Sequence, residues 1–316
     1  MRILLTGCAG FIGSRTVNLL CALNHDVVGI DNLNNYYDPK LKYERLDILR
    51  QNPHFHFIRG DITKDGNSNI FMDYHFDAII NLAARAGVRA SLDDPYAYID
   101  TNITGTVKLL EMCRMFDIPK YVMASSSSVY GTSEPPFSET TNSDHSMSPY
   151  AATKKAAEAL CYSYHHVYGI DITIPRYFTV FGEAGRPDMS IYRFIEGIRK
   201  GIPIDIYGDG TQQRDFSYVG DIAEGTIRCL KPLGYEIINL GNDNPVELNY
   251  VIKLIEEALG KEATRTYLPK QEADVMKTHA DISLARKLLD WEPRVPIEEG
   301  IKRTVKWHLS RAEQKH

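Results

Sequence analysis

With 316 residues, 43% of them apolar and 24% charged, the chain has the composition of a globular protein with a sizeable core, which excludes a disordered or fibrous class. A net charge of -5 excludes general affinity for nucleic acid, which needs a basic face to neutralise phosphates. No apolar run approaches the roughly 18 residues of a membrane span, and the opening Met1-Arg2-Ile3-Leu4-Leu5-Thr6-Gly7 lacks the longer apolar stretch of a secretory signal.

In chain order, short apolar runs predict strands at Arg2 to Thr6, Asp26 to Asp31, Phe55 to Gly60, Ala78 to Ala83, Tyr121 to Ser125 and Ile172 to Pro175. Between them, amphipathic stretches predict helices at Gly13 to Leu23, Asp94 to Phe116 and Pro149 to Tyr168. This alternation is that of βαβ units, so the expected class is α/β with a Rossmann-type doubly wound parallel sheet. After Arg176 the pattern breaks up at Gly182 to Asp188, Tyr207 to Asp215 and Leu268 to Asp274, which predicts a smaller, loop-rich C-terminal substrate-binding domain. The segment Ser217 to Leu240 ends in the strand Glu236 to Leu240 and is expected to fold back onto the first domain. The expected division is therefore 1–176 with roughly 217–242, against 177–216 with 243–316. The five cysteines (Cys8, Cys21, Cys113, Cys161, Cys229) are scattered and form no C-x-x-C pair. They read as reduced packing residues of a cytoplasmic chain, with no metal site.

Gly7, Gly10 and Gly13 follow the first strand and open the first helix. In such a G-x-x-G-x-x-G loop the first glycine permits the turn, the second admits a pyrophosphate and the third lets the helix pack closely on the sheet. The helix N-terminus then faces the phosphates. Asp31 ends the second strand, where a carboxylate accepts hydrogen bonds from the adenosine ribose and repels a 2′-phosphate, so NAD is expected over NADP. Asp61 after the third strand is placed to meet the adenine, although Asp-Ile-Thr also suits a plain loop-to-helix cap.

Tyr150 and Lys154 form Y-x-x-x-K, a spacing that puts both on one helical face. A free phenol, with a pKa of roughly 10, is a poor base at neutral pH. A neighbouring ammonium and a positive nicotinamide favour the phenolate and make it a usable general base. The run Ser125-Ser126-Ser127-Ser128 ends a predicted strand about twenty residues earlier, at the end of the sheet where ligands bind. A hydroxyl there can bridge the tyrosine and a reacting oxygen.

These features together resemble the extended short-chain dehydrogenase/reductase family over nearly the whole chain. Within it, Arg176 to Gly182 with Gly185-Arg186-Pro187-Asp188-Met189, together with Asn81 to Ala84, Gly87-Val88-Arg89, Gly208 to Gly210, Arg214-Asp215-Phe216 and Asp274-Val275, is most similar to the UDP-glucuronic acid 4-epimerases. The resemblance implies a catalytic set of Ser126, Tyr150 and Lys154. It implies tightly held NAD, met by the glycines with Phe11 and Ile12, by Asp31 and Asn32, Asp61 and Ile62, Leu82, Ala83 and Ala84, and by Tyr150 and Lys154. It further assigns Arg89, Thr179 and Arg214 to a UDP-sugar, with Asp274 on the uridine ribose, and implies a homodimer through the Asp94 to Phe116 and Pro149 to Tyr168 helices. Arg214 also suits an ion pair with Asp215 or Asp209. Two departures stand out: Arg85 replaces an expected Gln, and Gln271-Glu272-Ala273 lacks the Gly expected before Asp274.

The implied chemistry is proton removal from the sugar 4-hydroxyl by Tyr150 through Ser126, a transient 4-keto sugar, its rotation, and return of the hydride to the other face. For UDP-glucuronate that intermediate is a β-keto acid prone to lose carbon dioxide. Arg186, with Ser127 and Ser128 as neutral donors, is the expected carboxylate holder, unless Arg186 is merely exposed in a Gly-Pro turn. Rival readings are a UDP-glucuronate decarboxylase, a UDP-glucose 4-epimerase and, from another class, a non-catalytic NAD-sensing protein. Retention of Tyr150, Lys154 and Ser126 together counts against the last.

Overall fold

The computed structural model describes residues 1–64, 68–270 and 275–313. Its strands are β1 (Arg2–Thr6), β2 (Asp26–Asp31), β3 (Phe55–Arg59), β4 (Ala78–Asn81), β5 (Lys120–Met123), β6 (Ser125–Ser126) and β7 (Asp171–Tyr177). The second half adds β8 (Thr179–Phe181), β9 (Ile204–Tyr207), β10 (Gln213–Tyr218), β11 (Tyr235–Leu240), β12 (Pro245–Glu247) and β13 (Arg265–Leu268). The main sheet runs in the order β11-β7-β5-β4-β1-β2-β3, with β6 also on β7. Every pairing in it is parallel. Helices cover both faces, so β4 and β5 are buried along their whole length and show no alternation of apolar with polar residues. The chain reverses direction across the sheet between β1 and β4, and a crevice opens at such a switch point beyond the strand C-termini.

Two elements depart from the sequence reading. The strand expected over Tyr121 to Ser125 breaks at Ala124, whose N–H bonds the Asn81 carbonyl, before β6 pairs with Arg176 and Tyr177. The helix expected over Asp94 to Phe116 is instead Pro95–Ile99 and Gly105–Met115, joined by a π-turn at Asp100–Thr104. The residue before a proline avoids helical backbone, so Asp94 caps the first piece, accepting from Ala97 N at 3.2 Å. The wide turn swings Asn102 inward: it holds both backbone groups of Arg85 and donates to Thr153 Oγ1 at 3.0 Å. Such π-turns recur at functional sites. The helix Pro149–Tyr168 lies where its signals put it, with a Ser148 cap, proline in the first turn and Gly169 closing it at φ +69°.

The second half forms two small sheets, β12-β10-β8 and β13-β9. The helix Val219–Arg228 packs on the helix Phe11–Ala22, and β11 joins the main sheet beside β7. Asp215 anchors this region: its buried carboxylate accepts the N–H groups of Asn242, Asp243 and Ala280. All five cysteines are free and buried.

Candidate active site

Gly7 adopts φ +72°, and a Cβ there would meet Ala83 N at 2.8 Å. Cβ atoms on Gly10 and Gly13 would stand 2.9 and 2.1 Å from the Gly7 carbonyl oxygen. The third glycine therefore lets the helix lie directly against the backbone that leaves β1 at Gly7 and Cys8. The helix starting at Phe11 has no side-chain cap, which leaves its first N–H groups for an anion. Thr6 ties the loop to β4, bonding Asn81 Oδ1 at 2.7 Å and receiving the Ala83 N–H. This cradle, with no room for side chains and with free amide donors, fits a dinucleotide.

Asp31 is buried; its carboxylate accepts from Ala9 N at 3.2 Å and Leu33 N at 2.8 Å and pairs with Lys42 Nζ at 3.4 Å. Asn32 donates to Asp61 at 2.9 Å, and the Thr63 N–H and hydroxyl also bond Asp61. These contacts hold the Asp61 carboxyl below the ordinary carboxylate range against the opposing effect of burial. Gly7, Gly10, Phe11, Ile12, Gly13, Asp31, Asn32, Asp61, Ile62 and Leu82 to Ala84 all line one cleft.

Ser126, Ser127, Ser128, Tyr150, Lys154, Thr179, Arg186 and Arg214 line the same cleft. Ser126 begins a 3-10 turn, and its Oγ accepts the Ser128 N–H at 3.2 Å. Burial holds the Tyr150 phenol above its ordinary value, while a hydrogen bond with Ser126 and the positive charge of Arg186 pull it down. The Lys154 ammonium donates to the Ala124 carbonyl at 2.8 Å, and burial pulls its pKa down to about 8.

Arg186 is not a free surface arginine. Its fork holds Asp188, its Nη2 donates to Ala86 O at 3.1 Å and its guanidinium lies 5.6 Å from the Tyr36 ring centre. Arg85 lies over that ring as well, at 5.2 Å. Arg214 donates to the carbonyls of Gln213 and Met276, while Asp215 is engaged by backbone amides and Asp209 by Thr211.

Arg89 does not line the cleft; it stacks on Tyr207 of β9 with 3.9 Å from its Cζ to the ring centre. Asp274 lies outside the described residues. The sequence reading missed Tyr36, Tyr37 and Lys42 in the cleft wall and Arg45 beside it. Arg45 is buried and donates to Ala9 O, Tyr37 OH and Ala184 O, linking the glycine loop to the loop that carries Arg186. The signal was present: an aromatic pair in the polar loop that follows the Asp31 strand end marks a loop with something to cover.

The sequence profile of the NAD dependent epimerase/dehydratase family matches residues 3–241. The chain belongs to that family. It is 56% identical over 306 residues to the UDP-glucuronate 4-epimerase of Thermodesulfobacterium geofontis, covering 96% of this chain and 95% of that one. Among solved structures it is similar to the UDP-glucuronic acid 4-epimerase of Bacillus cereus in complex with UDP-glucuronic acid and NAD. That likeness has a TM-score of 0.94 at 37% identity, over 98% of this chain and 100% of the other. A UDP-glucose 4-epimerase of Thermotoga maritima with UDP-glucose follows at TM-score 0.91 and 30% identity, covering 99% and 100%. The Rossmann-like parallel sheet expected from the sequence is thus the family's fold.

Proposed function

We propose that this chain is an NAD-dependent UDP-glucuronate 4-epimerase, converting UDP-glucuronate and UDP-galacturonate into one another. The observation that carries the reading is the meeting of Ser126, Tyr150 and Arg186 in one cleft with the glycine cradle, where Ser126 and Arg186 both favour the Tyr150 phenolate. The proton relay alone serves any 4-epimerase; a cation beside it suits a sugar with a carboxylate.

When bound, NAD supplies the acceptor and then the donor of a hydride. Tyr150, with Ser126 bridging, takes the proton of the sugar 4-hydroxyl and, once the 4-keto sugar has turned its other face to the nicotinamide position, returns it to the same oxygen. Arg186, with Ser127 and Ser128, holds the carboxylate so that its bond to the ring stays out of line with the keto π-system, which suppresses loss of carbon dioxide. Lys154 supplies the charge that makes the phenolate accessible. Leu82 to Ala84 and Asp31 hold the dinucleotide, and Thr179 and Arg214 hold the UDP.

In this reading 1–176 with roughly 217–242 carries NAD, and 177–216 with 243–316 carries the UDP-sugar. We further propose a cytoplasmic homodimer. Among the described residues no helix is long and apolar enough to cross a membrane. Tyr96, Ile99, Met115, Tyr162, Val167 and Tyr168 are exposed on the Asp94 to Phe116 and Pro149 to Tyr168 segments, which supports burial of those segments against a second copy. Incubation with UDP-glucuronate followed by NMR of the products tests the function. UDP-galacturonate is expected; a UDP-pentose as main product, or no turnover, refutes it.

A further inference from the structure

Below the reacting groups lies a buried charge network of which the reaction as described uses only Lys154. Glu158 follows Lys154 by one helical turn, and Glu158, Lys154 and Arg176 are 2%, 5% and 1% exposed. Glu158 Oε1 accepts from Ser125 Oγ at 2.6 Å and from Arg176 Nε at 2.9 Å, while Oε2 accepts from Arg176 Nη2 at 2.7 Å. Ser125 is the residue before Ser126 in β6, and Arg176 is its partner across the β6–β7 pair. The Arg176 guanidinium lies 4.8 Å from the Tyr130 ring centre, and Tyr130 OH donates to Asn239 at 2.6 Å.

Stability does not account for this arrangement. Replacing a buried ion pair with apolar groups is often neutral or stabilising, and here a third buried charge, Lys154, stands beside the pair. We infer that Glu158 is a positioning residue for the reaction: it keeps Lys154 charged one turn from Tyr150 and, through Ser125, fixes the strand end that presents Ser126. The inference rests on Tyr150 and Lys154 acting as proposed above, which the Tyr150→Phe variant tests separately.

The groups around Lys154 are few. On its own helix stand Tyr150, Glu158 and Cys161. From the sheet come the Ala124 carbonyl and, across Glu158, Ser125 and Arg176. Tyr121 of β5 and Cys113 of the neighbouring helix adjoin Cys161. The π-turn contributes neutral Asn102 through Thr153, the 3-10 turn contributes Tyr130 over Arg176, and Lys155 reaches Glu158 at 3.8 Å. Glu158 is the carboxylate of this set and opposes the burial that drives Lys154 towards its neutral form. A neutral Lys154 gives the phenolate no support, so loss of its proton ends catalysis at high pH.

The test is the pH dependence of kcat/KM for UDP-glucuronate on NAD-loaded enzyme. Removing a nearby opposite charge moves a titration by about one to three pH units. Glu158→Gln is therefore expected to shift the alkaline limb to lower pH by at least about one unit, with bound NAD retained. Arg176→Met frees Glu158 for Lys154 and is expected to shift the limb upward. Glu158→Asp, which keeps the charge, restores the limb towards its wild-type position. A merely structural Glu158 lowers activity with the limb in place, and that result overturns the inference, as does a shift of both variants in one direction. If Glu158→Gln does not fold, Arg176→Met decides alone: a limb unmoved or lowered refutes the role.

Discussion

A Cβ built on Gly13 stands 2.1 Å from the carbonyl oxygen of Gly7. The first and last glycines of the loop are thus in contact, and the helix can start where it does only because both lack side chains. Gly13→Ala forces that carbonyl aside, at about 1 to 3 kcal/mol for an overpacked site, and the strain falls where the pyrophosphate is held. The variant is expected to be purified with little or no NAD, as measured by cofactor released on denaturation, and with a lowered Tm. A full complement of NAD and an unchanged Tm would show that the loop yields without cost.

Tyr150→Phe removes the phenol hydroxyl and leaves the ring edge-on to Tyr98, 6.1 Å between centres. Turnover is expected to fall about 100-fold to 10,000-fold, the range for a lost general acid–base group, with fold and NAD content retained. Near-normal turnover removes Tyr150 from the mechanism.

Asp31 carries two backbone amides and the Lys42 ammonium on its carboxylate. A 2′-phosphate brought to this point meets a negative group already committed, so apo-enzyme should bind NAD in strong preference to NADP. Asp31→Asn removes the repulsion and leaves Lys42 without its counter-charge, which is expected to raise NADP affinity relative to NAD. Titration of both proteins with both cofactors decides it, and equal affinities in the wild type would show that Asp31 does not face the ribose.

Arg186 reaches Ala86 and Asp188 and stands over Tyr36, so it is held before any substrate arrives. Deleting one partner of a charge-assisted contact commonly costs about 1.5 to 3 kcal/mol, or roughly 10-fold to 100-fold in affinity. Arg186→Ala is expected to lose that much for UDP-glucuronate and little for UDP-glucose, with some carbon dioxide and UDP-pentose formed. Equal losses for both nucleotides would reassign Arg186 to the diphosphate.

The parts legible in the sequence were those governed by local rules. Periodicity located the strands from Arg2 to Pro175, Ser148-Pro149 and Gly169 bounded the catalytic helix, and the glycine spacing marked the dinucleotide turn. Features set by tertiary packing were not legible. The break at Ala124 depends on its bond to Asn81 in a neighbouring strand. The π-turn depends on Asn102 satisfying Arg85 and Thr153 from different elements. Arg89 follows a loop that aims it at Tyr207, a contact made by residues more than one hundred positions apart and invisible to any motif. Nothing in the spacing of the catalytic helix marks Glu158, because its partner Arg176 comes from a strand beyond the end of that helix.

The buried cysteines turn the protein into its own clock of opening. Cys8 sits inside the dinucleotide loop with no exposure, where burial and the Asp31 charge push its thiol well above the ordinary range. Cys21, Cys113, Cys161 and Cys229 lie in the cores of the helices and sheet. Cys8 shares that burial, because its side chain packs towards Gly29 of β2 within the same apolar core as Cys21 and Cys229. A thiol reagent therefore reaches any of the five only when the packed layers separate, and bound dinucleotide slows that opening by stabilising the folded domain. Labelling followed residue by residue reports the order in which the layers part, with no probe introduced into the chain.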